Sequence, residues 1–122
     1  MEGEHQLSEE ASWFIGGLMH YLDFSLAFLA PNINSSKRLA PHHWSGHYKV
    51  WGIDNKEAAI RLIGPIPSHE NITHFEVKAH DHLANPYLAM ASIIFSGGIG
   101  LEGKIKPENY YDENPAILSE KE

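Results

Sequence analysis

The sequence predicts an α+β fold in which antiparallel strands pack against flanking helices. Apolar residues recur at helical spacing in residues 8–29 and 86–96, whereas the segment between 47 and 80 alternates apolar and polar residues as strands do. The chain has 122 residues, 43% of them hydrophobic, which is enough for the core of one domain. Charged residues make up only 20%, a composition that argues against intrinsic disorder.

The first predicted element is a pair of helices. Ser8 is a good N-cap, and the two acidic residues after it favour the start of a helix. Asp23 is predicted to cap a second, shorter helix from Phe24 to Leu29, which Pro31 ends. One face of the first helix carries apolar residues at spacings of three and four: Ala11, Phe14, Leu18 and Leu22.

Three strands are predicted next. Residues 47–53 and Ala58–Ile63 flank the turn dipeptide Asp54-Asn55, a pattern typical of an antiparallel hairpin. Residues 72–79 form the third strand. Loops rich in proline are predicted for residues 31–46 and 64–71.

The last predicted helix is residues 86–96. Asn85 followed by Pro86 is a strong helix start, and Gly97-Gly98 is predicted to end the helix. Its residues are apolar on nearly every side, so we expect it to be buried.

Charge and composition narrow the possible partners. The net charge of −7 argues against nucleic acid, and no apolar run reaches the length of a membrane span. Cysteine is absent, which excludes disulfides and thiolate metal sites. The acidic, polar start of the chain does not resemble a signal peptide, so we expect a cytoplasmic protein. Residues 34–78 hold six Lys or Arg against four Asp or Glu, which suits a small phosphate or carboxylate ligand or, alternatively, a solvated basic face.

The third predicted strand carries the first candidate site. Glu76 and Lys78 lie two residues apart and therefore project to the same side. They suit a carboxylate metal ligand beside a cation for an acidic substrate, although an exposed ion pair is the simpler interpretation. Arg38, in a loop, and Arg61, on a strand, add guanidinium groups suited to carboxylate and phosphate, or to structural ion pairs.

Nine histidines also raise the possibility of a metal centre. The candidate clusters are His42, His43 and His47 and, further along, His80-Asp81-His82, but neither cluster has a familiar zinc spacing. Surface histidines are the alternative interpretation.

Four segments, taken in order, resemble the C-terminal part of the catalytic domain of glutamine synthetases. They are LSEEASWFIGGLMHY at 7–21, NINSSKRLAP at 32–41, WGIDNKEAAIR at 51–61, and FEVKAHD with ANPYLAMAS at 75–92. The resemblance extends over about residues 7–107. It implies that residues 1–122 are a partial catalytic domain and part of an incomplete barrel, without the N-terminal domain and the upstream catalytic segments.

The resemblance also implies an activity. Enzymes of this family use ATP and Mg²⁺ or Mn²⁺ to convert glutamate to γ-glutamyl phosphate, which ammonia or an amine then attacks, and they work as homo-oligomers. Arg38 matches an arginine that meets glutamate, and Lys78 matches a residue that holds the substrate carboxylate. Arg61 and Lys56 match ATP-binding positions, and Glu76 matches a metal-binding glutamate. Arg38 and Arg61 are therefore the catalytic candidates.

The sequence departs from the family pattern at four positions. Lys56 and Lys78 stand where arginine is usual, which keeps the charge but loses bidentate geometry. Trp44 replaces a glutamate that shields the reaction, and Ser36 replaces a tyrosine, a pattern closest to the nodulin/glutamine synthetase-like branch. A non-catalytic binding or regulatory protein and a histidine-rich metal module are the alternative functions.

Overall fold

The computed structural model describes residues 7–64 and 74–119 and confirms the α+β class. A small three-stranded sheet packs against helices from both ends of the chain. In this part of the chain the elements are α1 Glu9–His20, α2 Leu22–Leu29, α3 Ser35–Arg38, β1 Tyr48–Ile53, β2 Ala58–Leu62, β3 Phe75–Val77, α4 Pro86–Gly103 and α5 Ala116–Ser119. The predicted loop beyond Gly64 and the first two residues of the predicted third strand lie outside the described residues.

The helix α1 begins as predicted. The Ser8 side chain accepts a hydrogen bond from the Ala11 backbone N–H at 3.1 Å, which satisfies one of the unpaired amides of the first turn. The predicted cap of α2 is wrong, because Tyr21 holds the N-cap position and makes no side-chain cap bond. Asp23 lies in the first turn and accepts from Lys49 Nζ.

The pairing of β1 and β2 corrects the predicted hairpin. The two strands are parallel, with Gly52 opposite Arg61 and Ile53 opposite Leu62. The chain from Ile53 to Ala58 spans five residue steps and reaches at most about 17 Å, which is about the length of β1. The chain therefore turns at Asp54, which has a left-handed φ of 52°, and returns to the start of β1 before β2 begins.

The pairing of β2 and β3 is antiparallel, as predicted for the sheet as a whole. Arg61 lies opposite Glu76, and Ile60 lies opposite Val77. The β2 strand is central, in the order β1-β2-β3. This register makes the polar side chains of β2 and β3 neighbours on one face of the sheet.

The C-terminal segment covers the outer side of β1. Trp51 forms a bridge with Tyr110, and the backbone N–H of Tyr111 donates to the Trp51 carbonyl at 2.8 Å. The buried Asn55 side chain donates to the carbonyls of Tyr111 and Glu113, both at 2.7 Å. These bonds tie the turn after β1 to the C-terminal segment.

The helix α4 is longer than predicted. Asn85 caps it through the amides of Tyr87 and Leu88, as expected, but the helix continues through Gly97-Gly98 to Gly103. Tertiary packing explains the difference. A side chain at Gly97 would strike the Phe14 ring, and one at Gly100 would strike the α1 backbone, so the glycines let the two helices meet closely.

The surface of α4 also departs from the prediction. The buried positions carry small residues such as Ala89, Ser92 and Ser96, whereas Tyr87 is 85% exposed and Phe95 is 66% exposed. The helix is therefore not buried on all sides. An apolar groove of about 390 Å³ lies between α2 and α4, and we call it the α2–α4 groove; its lining includes Phe24, Phe28, Leu88 and Phe95.

The main core lies between α1 and the sheet. It is formed by Leu7, Ile15, Leu18, Met19, Trp51, Ile60 and Leu62. Among the described residues, none of the helices has both the length and the apolar character needed to cross a membrane.

Candidate active-site face of the sheet

Arg61, Glu76 and Lys78 lie together on the polar face of β2 and β3. The Glu76 Oε2 atom is 3.4 Å from Arg61 Nε and 3.8 Å from Lys78 Nζ. The register partnership of Arg61 with Glu76 and the two-residue spacing of Glu76 and Lys78 produce this cluster. Glu76 therefore lies beside Arg61, and its carboxylate has two cationic partners.

The charges of this cluster do not cancel. One carboxylate faces two cations, so one positive charge remains to attract an anionic ligand. The side chain of Glu76 is 46% exposed, whereas those of Arg61 and Lys78 are mostly buried. The Arg61 Nε–H is buried and makes no hydrogen bond of good geometry within the described chain.

Glu76 could hold a divalent metal ion only if a bound ligand supplied further oxygen atoms to the metal. Magnesium is commonly held by one or two carboxylates together with phosphate oxygens. Glu76 offers one accessible carboxylate, and the neighbouring cations suit the phosphate oxygens. Among the described residues there is no group of three or more His, Asp or Glu side chains that could hold a metal ion by itself.

Arg38 reaches the same region from α3. Its Nη2 donates to the Ala79 carbonyl at 3.0 Å, and its Nη1 donates to the carbonyls of Lys78 at 3.3 Å and Ser45 at 3.4 Å. The structure therefore brings the Arg38 guanidinium beside the backbone of Lys78. The guanidinium also fixes backbone geometry, because three of its bonds go to main-chain carbonyls.

Asp81, which the sequence analysis named only between His80 and His82 in a possible metal cluster, is a buried residue of this region. Its Oδ2 accepts from the Ser35 hydroxyl at 2.6 Å, and its Oδ1 accepts from the Leu83 N–H at 2.9 Å. The Leu83 amide, the Ser35 hydroxyl and the nearby Arg38 charge hold the pKa of the Asp81 carboxyl below its ordinary value, against the opposing effect of desolvation. Asp81 thus anchors the start of α3, and so the base of Arg38.

Lys56 packs against an aromatic ring. Its Nζ is 4.2 Å from the centroid of the Trp44 ring, a cation–π contact. The structure therefore links Lys56 to the 41–46 loop, which runs from Pro41 to Gly46.

Glu57 is a second buried carboxylate, and the sequence analysis missed it. Its Oε1 accepts from the Trp44 backbone N–H at 3.2 Å. Its Oε2 is buried and has no hydrogen-bond partner among the residues that the structure describes. A polar residue directly before a buried strand is the only indication in the sequence.

The two histidine clusters are on the surface. His42, His43 and His47 are exposed, as are His80 and His82. His47 Nδ1 lies 2.8 Å from the Leu39 carbonyl, and His82 Nδ1 lies 3.4 Å from Asp81 Oδ1. These contacts are the local ones that surface histidines commonly make.

Comparison with known proteins gives the family. The family model for the glutamine synthetase catalytic domain matches residues 1–122. The chain belongs to the glutamine synthetase family. The match confirms the resemblance found in the sequence and makes the chain a member of a family of ligases.

Individual relatives of this family member agree. The chain is 44% identical over 106 residues to type-1 glutamine synthetase 1 of Dictyostelium discoideum, an alignment covering 86% of this chain and 21% of that protein. It is 38% identical over 113 residues to the γ-glutamylpolyamine synthetase GlnA3 of Streptomyces coelicolor, covering 92% and 24%. The structure of GmaS without ligand superposes with a TM-score of 0.79 at 30% identity, covering all of this chain and 27% of that one. The chain thus spans about a quarter of the length of these relatives.

Proposed function

We propose that this chain forms part of the active site of an ATP-dependent ligase that joins glutamate to ammonia or an amine. The observation that carries the proposal is the cluster of Arg61, Glu76 and Lys78, in which two cations flank one accessible carboxylate. Family membership supports the ligase class. The residues of the cluster supply what a reaction between two anionic substrates needs, namely positive charge and a metal ligand.

The proposed reaction has two steps. An oxygen of the glutamate γ-carboxylate attacks the γ-phosphorus of ATP, ADP leaves, and the acyl phosphate forms. The nitrogen lone pair of ammonia or an amine then attacks the acyl carbon, the C–O bond to phosphate breaks, and the nitrogen gives up a proton, so that the products are the amide and hydrogen phosphate. Bound Mg²⁺ or Mn²⁺ supplies charge neutralisation for the phosphates.

Each candidate residue has a part in this scheme. Arg61 stabilises the transferred phosphoryl group, and Glu76 holds the metal ion. Lys78 and Arg38 orient the substrate carboxylate, with Arg38 held beside Lys78 by its bonds to main-chain carbonyls. Lys56, whose ammonium group lies against Trp44 of the 41–46 loop, contacts the nucleotide. We also propose that the protein is cytoplasmic and acts as a homo-oligomer.

A non-catalytic binding protein is the second candidate function. It is favoured by one observation, the three hydrogen bonds that commit the Arg38 guanidinium to main-chain carbonyls. Lysine in place of arginine at position 78 points in the same direction, because a carboxylate is then held without a bidentate contact.

The test is the binding of ATP to the full chain with and without Mg²⁺, measured by calorimetry. We expect Arg61→Gln to abolish binding and Glu76→Ala to abolish its dependence on Mg²⁺. Lys49→Gln is the control, because Lys49 is an exposed cation that pairs with Asp23 away from the cluster. Equal binding by wild type and Arg61→Gln would overturn the proposed site.

Folding of the Glu76→Ala variant must be checked separately. The Glu76 side chain is half-exposed, so its ion pairs should contribute at most about 1 kcal/mol to the free energy of unfolding. A loss of several kcal/mol in denaturant unfolding would show that Glu76 is a structural residue and not a metal ligand.

A further inference from the structure

The Glu57 carboxylate is a buried charged group with one oxygen that has no partner in the described structure. Glu57 is only 4% exposed, and its Oε1 accepts one hydrogen bond, from the Trp44 amide. Its Oε2 is buried, with no hydrogen-bond partner in the described part of the chain. A buried carboxylate oxygen loses its hydration, so a proton or a cationic ligand is needed to replace it.

The residue that donates to this carboxylate carries an exposed aromatic ring. Glu57 is bonded to the backbone of Trp44, and the Trp44 side chain is 61% exposed. The ring already attracts one ammonium group, since Lys56 Nζ lies 4.2 Å from its centroid. An indole face attracts ammonium groups, and Glu57, bonded to the backbone of the same residue, adds a negative charge that attracts them too.

The contacts of the 41–46 loop connect Glu57 to Arg38 and to Lys78 of the Glu76 cluster. Ser45, which follows Trp44, offers its carbonyl to Arg38. Gly46 packs so closely against Lys78 and Ala58 that a Cβ there would lie 2.9 Å from Lys78 Cβ. The 41–46 loop thus connects Glu57 to Arg38 and Lys78, the two residues proposed to hold the glutamate carboxylate.

The 41–46 loop, which bonds Glu57 through Trp44, has an uncommon backbone conformation. His42 and Trp44 have left-handed φ values of 64° and 51°, and Gly46 has a φ of 76°. Residues other than glycine rarely adopt a positive φ. The loop conformation is therefore maintained by its contacts, among them the bond from the Trp44 amide to Glu57. Replacing that bond with another partner for Glu57 would release the loop.

We infer that Glu57 binds the ammonium group of the amine co-substrate, with Trp44 as the aromatic wall of the site. This inference rests on the proposed ligase function, which requires an amine near the glutamate carboxylate. Binding requires the 41–46 loop to move, so that the buried Oε2 accepts from the ligand. The site takes a primary alkylammonium ion, and the glutamate lies on the side of Arg38 and Lys78.

The test is a titration of the full chain with propylammonium chloride, followed by NMR at the Trp44 amide and indole N–H. Sodium chloride at the same ionic strength corrects for salt effects. We expect saturable shifts at Trp44, and at least a tenfold weaker affinity for Glu57→Gln. Glutamine keeps an acceptor for the Trp44 N–H, so the variant should retain the loop. Glu102→Gln, at an exposed carboxylate near the end of α4, is the matched control and should bind as wild type does.

A second variant keeps the inference testable if Glu57→Gln does not fold. Trp44→Leu retains the carboxylate and removes the ring, and we expect it to weaken propylammonium binding several-fold. The inference fails if wild type shows no saturable shift, or if a folded Glu57→Gln binds as tightly as wild type. The ATP titration on the same samples separates the two ideas: loss of ATP binding with propylammonium binding intact removes the ligase proposal and the co-substrate role, but leaves a cation site at Glu57.

Discussion

Asp81 shows how one buried side chain can set the geometry of a site. Its oxygens accept from Ser35 and Leu83, and its charge lies 4.0 Å from Arg38 Nε. The backbone N–H of Asp81 also donates to the Leu29 carbonyl at 2.7 Å. One residue therefore links the end of α2, the start of α3 and the chain after β3.

The lowered pKa of Asp81 predicts a dependence of stability on pH. Because its folded pKa lies below the unfolded value of about 3.9, ionised Asp81 stabilises the fold above that pH. This stabilisation is lost as the pH falls through the folded pKa. We expect Asp81→Asn to lower the melting temperature at pH 7, and the difference from wild type to shrink below about pH 4.

Thermal unfolding of both proteins between pH 3 and pH 7 measures this effect. Glu108→Gln serves as the control, since Glu108 is exposed and its melting temperature difference should stay small throughout. A difference between wild type and Asp81→Asn that is constant over this range would mean that the charge of Asp81 does not stabilise the fold.

At the scale of elements, the contact between α1 and α4 depends on glycine. Gly17 of α1 faces Gly100 of α4, so the two backbones approach without intervening side chains. Glycine is a poor helix former, and only this packing explains why α4 continues to Gly103. The helix and its contact therefore stabilise each other.

Two alanine substitutions in α4 should have opposite effects. Gly100→Ala places a methyl group against the carbonyl of Trp13 and the backbone of Gly17, so we expect a loss of about 1–3 kcal/mol or more in the free energy of unfolding. At Gly98 an added Cβ meets nothing within 4 Å, so Gly98→Ala should stabilise the helix by about 0.5–1 kcal/mol. Urea unfolding of both variants tests this, and destabilisation by Gly98→Ala would contradict the packing described.

At the scale of the whole molecule, the chain exposes an unusual apolar surface. Phe24, Leu88 and Phe95 are each more than half-exposed and surround the α2–α4 groove. Apolar patches of this kind commonly mark association surfaces. We predict that the isolated chain self-associates through this groove.

Light scattering over a range of concentrations tests the association. We expect Phe95→Glu to shift the protein towards monomer, because a charge in the groove opposes its burial. Ile33→Glu is the control, since Ile33 is 89% exposed but does not line the groove. A wild-type chain that remains monomeric and melts cooperatively would refute the prediction.

Whether this chain alone can catalyse the reaction also depends on the whole molecule. Glu76 is the one carboxylate proposed here as a metal ligand, and a single carboxylate rarely organises several ions. We predict no turnover by this chain alone when it is given ATP, glutamate, hydroxylamine and Mg²⁺ or Mn²⁺. Phosphate release well above that of Glu76→Ala would show a more complete active site than we propose.

The features that the sequence predicted are those that depend on near neighbours in the chain. Ser8 caps α1 and Asn85 caps α4 because a cap needs only the next three residues. Glu76 and Lys78 share a face because strand side chains alternate with a period of two. The family, too, was recognisable from short ordered segments of sequence.

The features that only the tertiary structure decided depend on distant contacts. A connection of a few residues normally predicts a hairpin, since parallel strands usually need a longer crossover, yet β1 and β2 are parallel. Gly97-Gly98 does not end α4, because packing against α1 outweighs its weak helix propensity. Ser35 meets Asp81 across 46 residues, and the buried Glu57 accepts its hydrogen bond from Trp44, 13 residues away. Local patterns do not encode such pairings, because the energies that select them come from burial and packing between segments that are far apart in the chain.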